Sequence, residues 1–319
     1  MTRADRTFAA LVGLAIVSSC VLLALFATLV MRVPQLAVHG PTDTADLIPV
    51  LVLVLAICGI GLGLGSLGRQ LAATASLIRP LLRRRLPVPP AVGQAADALG
   101  MTDRIDVVAD PRAFSFCYWF IRPRICLSSG LLSRLDRDEL DAVLLHERSH
   151  LRRRDPLRLL VARYFAAGLY VVPVVEELVE YYVLEKELEA DQDAVRALGN
   201  VGPLARALYK VLPEADQVEL GLLTPVGALS ATEARIDQLV DGRALTLRVR
   251  PVSVALSVGA ILAAAVLAVV QASAATALAV LPPLAGPGLL VAPASLLFAA
   301  AVTGGMQQLR LLHDPERRG

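Results

Sequence analysis

Long uncharged runs constrain the fold of this chain more than any other feature of its sequence. Phe8–Met31 has 24 residues without a charge, and Leu47–Gly68 has 22. At about 1.5 Å of helix per residue, each run can cross a hydrocarbon core about 30 Å thick. Both are therefore predicted to be membrane-spanning helices. The first run is too long for the apolar part of a signal peptide, and no clear cleavage site follows it, so we expect it to be retained.

A second apolar region contains no charged residue between Arg250 and Arg310. It is long enough for two more spans, and the prolines and glycines of segment 282–288 divide it. We therefore predict a third span at Val252–Ala272 and a fourth at about 289–305. Glycines four positions apart in the second span, such as 59 and 63, also predict that this helix packs closely on another helix in the membrane.

Arginine placement predicts the orientation of the spans. The loop between the first two spans carries Arg32 beside Asp43 and Asp46, whereas five arginines follow the second span: Arg69, Arg79, Arg83, Arg84 and Arg85. Because cytoplasmic loops are enriched in basic residues, we expect both termini and the middle of the chain to be cytoplasmic. The net charge of only +2 gives no indication of direct nucleic-acid binding.

The polar middle of the chain, residues 88–250, is predicted to be a separate mixed domain between two membrane hairpins at 1–87 and 251–319. The fold class is therefore α+β, mainly helical, with a small sheet. Its predicted strands are Arg104–Ala109, Phe114–Ile121 and Arg124–Ser128. Its predicted helices are one from Asp136 to about Asp155, opened by a capping box with Glu139, and two more at Leu157–Val175 and Glu176–Leu198.

The segment His146-Glu147-Arg148-Ser149-His150 lies in the first of these helices. A spacing of four puts both imidazoles on one helix face, so both can bind one metal ion, while Glu147 can take a proton from water beside the metal. The preceding residues, 142–145, are apolar and indicate burial, which is costly for unpaired imidazoles. We therefore expect one Zn²⁺ per chain, the alternative being a helix with two incidental histidines.

The last predicted helix supplies a candidate third ligand. Glu187 and Asp191 fall within an apolar stripe. The polar residues around them lie mostly on other faces: Glu185, Lys186, Glu189, Gln192, Asp193 and Arg196. We expect Glu187 to bind the metal and Asp191 to accept an N–H group from a metal-bound histidine. Glu180, one heptad earlier, is a rival ligand, and the carboxylates could instead pair with nearby arginines. The four cysteines form no CxxC motif and are expected to be reduced and buried.

Several segments carry a resemblance to a known family. Residues 122–132, 139–150 and 152–156, with Glu187-Leu-Glu-Ala-Asp191, resemble the BlaR/MecR-type membrane metallopeptidases and the related HtpX-type peptidases. The resemblance covers about residues 96–198. It implies a gluzincin-like fold in which His146, His150 and Glu187 bind zinc and Glu147 is the catalytic base.

The resemblance also implies a bacterial cell-membrane protein that cleaves a protein or peptide substrate. The substrate strand would add to the sheet edge near Phe114, Ser115 and Phe116. The substrate would be a cytoplasmic transcriptional repressor or the protein itself, in signal transduction. Antibiotic-sensing members carry an extracellular penicillin-binding domain after the last span. Only a short tail follows here, so we expect no sensing of that kind.

Two other functions remain open. One is membrane-protein quality control, as in the HtpX-type group, and the other is an inactive membrane signalling scaffold. The intact Glu147 argues against the scaffold, because a structural metal site has no use for a general base. The run of arginines at 152–154 is interpreted as a solvated helix end, with lipid phosphates or a partner as the alternative contacts.

Overall fold

The computed structural model describes residues 2–39, 47–215, 235, 239 and 249–276. The described chain is mostly helical and contains one small sheet. The helices are α1 Arg3–His39, α2 Leu47–Leu82, α3 Pro90–Ala98, α4 Ser129–Leu132, α5 Arg137–Arg153, α6 Asp155–Gly168, α7 Val174–Leu198, α8 Gly202–Ala215 and α9 Pro251–Thr276. The strands are β1 Arg85–Leu86, β2 Ile105–Val108, β3 Ser115–Tyr118 and β4 Arg124–Ser128.

Three described helices are long and apolar enough to cross a membrane, at Arg3–Ala27, Val54–Leu82 and Pro251–Val270. They coincide with the first three predicted spans, and the predicted fourth span at 289–305 lies outside the described residues. Helix α2 continues well past the uncharged run because its last turns bury Ile78 and Leu81 against the sheet. A helix whose last turns enter a domain core is longer than its membrane-spanning part.

The chain divides into two compact units. One comprises residues 1–8, 65–164 and 178–248, and the other comprises residues 9–64, 165–177 and 249–319. In the second unit, small residues of α1 and α9 share a buried cluster that includes Ala24 and Ala268. In the same unit, Gly59 of α2 lies directly against the backbone of Gly168. The close helix approach predicted from the glycine spacing is confirmed at this position.

The first unit contains the sheet, in the strand order β1-β2-β4-β3. Strands β2 and β4 are parallel, and the other two pairs are antiparallel, so β3 forms one edge. The predicted bounds of β4 are confirmed. Strand β3 is shorter than predicted, because Trp119 adopts a left-handed φ of 64° that ends the extended conformation.

Alternating side chains of the sheet fill two separate cores. On one face, Val107, Cys117 and Ile125 pack with Leu140 and Leu144 of α5. The opposite face packs on the last turns of α2, and its strand residues are Val108, Phe116, Tyr118 and Cys126. This alternation fixes which β3 side chains face α5.

Helix α5 begins as predicted. The Asp136 carboxylate accepts from the backbone N–H of Glu139 at 2.9 Å, and the Glu139 carboxylate accepts from the N–H of Asp136 at 3.0 Å. The helix ends where Arg154 turns left-handed, with φ 56°. The predicted helix 157–175 was wrong in its bounds, since α6 starts at Asp155 and stops at Gly168, before Pro173. Glycine is a poor helix former, and proline disfavours helical backbone at the residue before it.

All four cysteines are free of disulfides. The expected burial is confirmed for Cys117 and Cys126, which lie in the two cores of the sheet. It is wrong for Cys20 and Cys58, which are exposed on the surfaces of α1 and α2. Both of these positions lie in candidate membrane spans, where exposed apolar side chains are normal.

Candidate metal centre

Helices α5 and α7 bring three potential metal ligands together. The Nε2 atoms of His146 and His150 are 3.1 Å apart. The Oε2 atom of Glu187 lies 3.6 Å from the first and 3.7 Å from the second. Ligands about 2.0–2.1 Å from a tetrahedral zinc ion would be roughly 3.3 Å from one another. This group could therefore hold a metal ion of that size.

The other ring nitrogen of each histidine faces a carboxylate. His146 Nδ1 lies 2.8 Å from Asp191 Oδ1, and His150 Nδ1 lies 2.7 Å from Asp155 Oδ2. The His150 contact is a hydrogen bond that places the proton on Nδ1 and turns the lone pair of Nε2 toward a metal. The His146 contact has the distance of a hydrogen bond but not its alignment. The predicted position of Asp191 fits this arrangement. From the sequence, Asp155 was assigned only to the end of a helix. In the structure its carboxylate lies beside His150.

The carboxylates shift the pKa values of both histidines. Burial alone would lower the pKa of His150, but the Glu187 charge and the Asp155 hydrogen bond outweigh burial and raise it to about 10. Asp191 and Glu187 likewise raise the pKa of His146 against the effect of burial. Despite its own burial, Glu187 has a pKa well below the usual range because Lys186 and His150 favour its charged form. The site therefore attracts positive charge.

Glu147 is oriented by strand β3. The Ser115 hydroxyl donates to Glu147 Oε1 at 2.8 Å, and the Cys117 thiol donates to the backbone oxygen of Glu147 at 3.4 Å. The second carboxylate oxygen, Oε2, is buried and has no hydrogen-bond partner within the described part of the chain. A buried carboxylate oxygen without a partner is costly. We therefore expect Oε2 to contact a group that binds at the neighbouring histidines.

The predicted substrate-contacting residues lie on opposite faces of the sheet. Ser115 faces α5 and Glu147. The side chains of Phe114 and Phe116 are buried in the core on the opposite face of the sheet. The backbone of Phe114 also exchanges hydrogen bonds with Ser128, so it is not free at the outer edge of β3. Substrate contact near these residues stays a prediction.

Two cations also reach the centre, and the sequence did not predict either. Arg235 donates to both oxygens of Asp191, at 2.7 and 2.8 Å, and lies 3.8 Å from Glu187 Oε2. Lys186 Nζ donates to Glu187 Oε1 at 2.8 Å. Nothing in a single sequence ties Arg235 to a carboxylate 44 positions earlier. Lys186 was assigned to another face of its helix, whereas its side chain is only 9% exposed.

The other carboxylates of α7 have different surroundings. The rival ligand Glu180 is exposed and is not part of the metal-ligand group. Glu185 and Glu189 are buried and contact the first turns of α1, where Thr7 donates to Glu185 at 2.6 Å and the Ala4 N–H donates to Glu189 at 3.1 Å. Because these two residues lie before and after Glu187 along the helix, their contacts fix this turn of α7 to the start of α1.

The arginines at the end of α5 do not form a simple solvated run. Arg153 forms ion pairs with Glu189 and, at 2.9 Å, with Asp193. Arg152 is exposed and remains available to solvent or lipid, while Arg154 provides the left-handed helix cap. Arg153 therefore belongs to the protein interior near α7 rather than to a lipid-facing surface.

The middle of the chain is similar to known peptidases. Residues 104–239 match the model of the BlaR1 peptidase M56 family. A protease HtpX homolog of Methanothermobacter thermautotrophicus is 30% identical over 164 residues, covering 44% of this chain and 59% of the relative. A protease HtpX homolog of Halobacterium salinarum is 34% identical over 114 residues, covering 27% and 39%. Residues 104–239 of the chain thus resemble the BlaR1/HtpX type of membrane peptidase.

The similar part of the chain contains the candidate site. The metal-ligand group, Glu147 and Arg235 all fall within the matched residues 104–239. The chain spans less than two thirds of the length of either relative, 59% and 39%. The similarity supports a membrane peptidase, and the ligand group described above could hold its metal ion.

Proposed function

We propose that this chain is an integral-membrane zinc-dependent endopeptidase. The observation that carries the proposal is the approach of three ligand atoms, from His146, His150 and Glu187, to within 3.1–3.7 Å of one another. Two imidazoles and one carboxylate leave a fourth position open, which is the pattern of catalytic zinc sites. Zinc, when bound, would polarise the scissile carbonyl and make a water molecule more acidic.

Glu147 acts as the general base in this proposal. The Ser115 hydroxyl holds Oε1, so the unpartnered Oε2 is the atom that accepts a proton from the attacking water. The same oxygen then returns the proton to the leaving amine. Asp155 and Asp191 keep both imidazoles in the tautomer that exposes Nε2, and Arg235 holds Asp191 in place.

The free edge of β3 is the proposed substrate-binding strand. Among the described residues β3 pairs only with β4, so one row of its backbone groups can pair with an extended peptide. Ser115 connects this edge to Glu147. A peptide added there would pass close to the base, which supports peptide hydrolysis over the inactive scaffold.

The proposed architecture is a gluzincin-like domain with four spans and a cytoplasmic active site. Arginine placement supports this orientation. A cysteine introduced at the exposed Arg137 should react with a membrane-impermeant maleimide only after the cells are lysed. Labelling of intact cells at this position would place the active site on the outer side.

The proposed biological role is regulatory cleavage of a cytoplasmic transcriptional repressor, or of the protein itself. The match to the BlaR1 family supports this role. The similarity to two HtpX homologs favours a second candidate, the cleavage of damaged membrane proteins. Comparing cleavage products in membranes with and without the active protein separates the two, because a regulatory protease should cut one soluble protein and a quality-control protease should cut many membrane proteins.

Zinc content and proteolysis together test the enzyme proposal. Purified protein should contain about one zinc per chain, and Glu187→Ala should lose it or bind it more weakly because a ligand is removed. Hydrolysis of a test protein should disappear in the same variant. A folded wild-type sample without zinc would contradict the proposal and favour the signalling scaffold.

A further inference from the structure

Lys186 is a buried cation beside the proposed metal site, and the proposed mechanism leaves it without a role. The chain has 31 basic residues, and only Lys186 and Lys210 are lysine. The Lys186 side chain is 9% exposed, and its ammonium group lies 2.8 Å from Glu187 Oε1. Burying a charge in this way is costly unless the charge has a partner, so the pair is a specific feature of the site.

The two oxygens of Glu187 have different partners. Oε2 faces the Nε2 atoms of His146 and His150 at 3.6 and 3.7 Å. Oε1 accepts the hydrogen bond from Lys186. Only one oxygen of this carboxylate is therefore directed at the metal position.

We propose that Lys186 is a positioning residue that keeps Glu187 a monodentate ligand. This inference rests on the proposed zinc function. A catalytic zinc site needs an open coordination position, and a carboxylate that binds through both oxygens would occupy it. By holding Oε1, Lys186 keeps that position for water and substrate. Arg235 cannot take over this role, because its two hydrogen bonds go to Asp191.

A purely structural role for Lys186 gives a different expectation. If the lysine only neutralised a buried carboxylate, its loss would weaken folding and metal binding together. In the positioning role, loss of Lys186 frees Oε1 to bind the metal and removes a nearby positive charge. Metal affinity should then stay the same or rise while turnover falls.

Cobalt substitution gives a readout of coordination that does not depend on activity. Wild-type protein loaded with Co²⁺ should show the strong visible absorption of a four-coordinate ion. Lys186→Gln should show the weaker bands of a five-coordinate ion, with Co²⁺ affinity no lower than wild type and kcat about ten-fold lower or more. Lys186→Arg, which keeps a charged donor, should restore the four-coordinate spectrum.

Lys210→Gln is the matched control. Lys210 also pairs with a buried carboxylate, Glu139, at 2.6 Å, but neither residue belongs to the metal-ligand group. Lys210 itself is 37% exposed, and Glu139 keeps Arg206 as a second partner. This variant therefore removes a lysine–carboxylate pair away from the metal position and should leave the cobalt spectrum unchanged.

The outcomes separate this inference from the function on which it rests. A wild-type protein that binds neither zinc nor cobalt overturns the proposed function. A wild type that binds cobalt, while Lys186→Gln keeps its four-coordinate spectrum and kcat, overturns the role of Lys186 alone. If Lys186→Gln does not fold, Lys186→Met takes its place, and a four-coordinate cobalt spectrum with wild-type kcat in that variant overturns the role of Lys186.

Discussion

Replacing Gly59 with alanine should disrupt helix packing, whereas the same change at Gly61 should not. A Cβ atom at Gly59 would lie 2.4 Å from the carbonyl oxygen of Gly168 and 3.6 Å from a ring carbon of Tyr170. Ordinary van der Waals contact begins at about 3.4 Å, so α2 must move roughly 1 Å from Gly168. No side-chain rotation can relieve the contact, because the carbonyl oxygen belongs to the backbone. At Gly61 nothing lies within 4 Å of the added atom.

The size of the effect follows from comparing the two variants. Both alanines gain the same helix propensity, about 0.8–1 kcal/mol over glycine. Their difference in unfolding free energy therefore isolates the cost of the close contact, which for overpacking is about 1–3 kcal/mol. Gly168→Ala should be milder than Gly59→Ala, because its Cβ atom would lie 3.4 Å from the Gly59 carbonyl oxygen.

Thermal unfolding in detergent measures this difference. Gly59→Ala should unfold at a lower temperature than wild type, and Gly61→Ala at the same or a slightly higher temperature. Equal midpoints for the two alanine variants would refute the close approach of α2 to Gly168 and the packing argument built on it.

Three further predictions concern the site and the domain that carries it. Glu147→Gln should keep its zinc but hydrolyse peptides about 10²–10⁴-fold more slowly, as measured by metal analysis and turnover, and an unchanged rate would contradict its role as base. Gly130→Ala should cost at least about 3 kcal/mol in thermal unfolding, because its Cβ atom would lie 2.1 Å from the Pro111 carbonyl oxygen, and wild-type stability would exclude that contact. Zinc must displace protons from histidines whose pKa values are raised, to about 10 for His150, so zinc affinity should increase with pH up to that value. Calorimetry in two buffers of different ionisation enthalpy measures the released protons, and a value of zero would contradict the raised pKa values.

Elements that depend on residues close together in the sequence could be predicted from the sequence alone. The capping box at Asp136 fixed the start of α5, and uncharged length located the spans. Strand β1 could not be predicted, since two residues, Arg85 and Leu86, become a strand only by pairing with Val107 and Val108. Such pairing depends on tertiary structure and leaves no periodic pattern.

The candidate metal ligands were predictable because they follow a helical spacing. His146 and His150 are one turn apart, and Glu187 interrupts an apolar stripe. Lys186 was not predictable in the same way, because its helix is buried on more than one face, and Glu185, Lys186 and Glu189 are all buried. A helix surrounded by protein no longer separates into an apolar and a solvated side, so its polar residues need partners in every direction.

The charges around the site give a reason why a divalent ion fits. Apart from the histidines, Glu147 and the ionisable groups that contact the metal ligands are four carboxylates and two cations: Glu147, Asp155, Glu187, Asp191, Lys186 and Arg235. With neutral imidazoles their sum is −2, and such an excess is costly in a buried site. A zinc ion cancels it, and so do two protons on the imidazoles. Zinc and protons therefore compete for the same negative charge, and the raised histidine pKa values and the proposed affinity for zinc have one electrostatic cause.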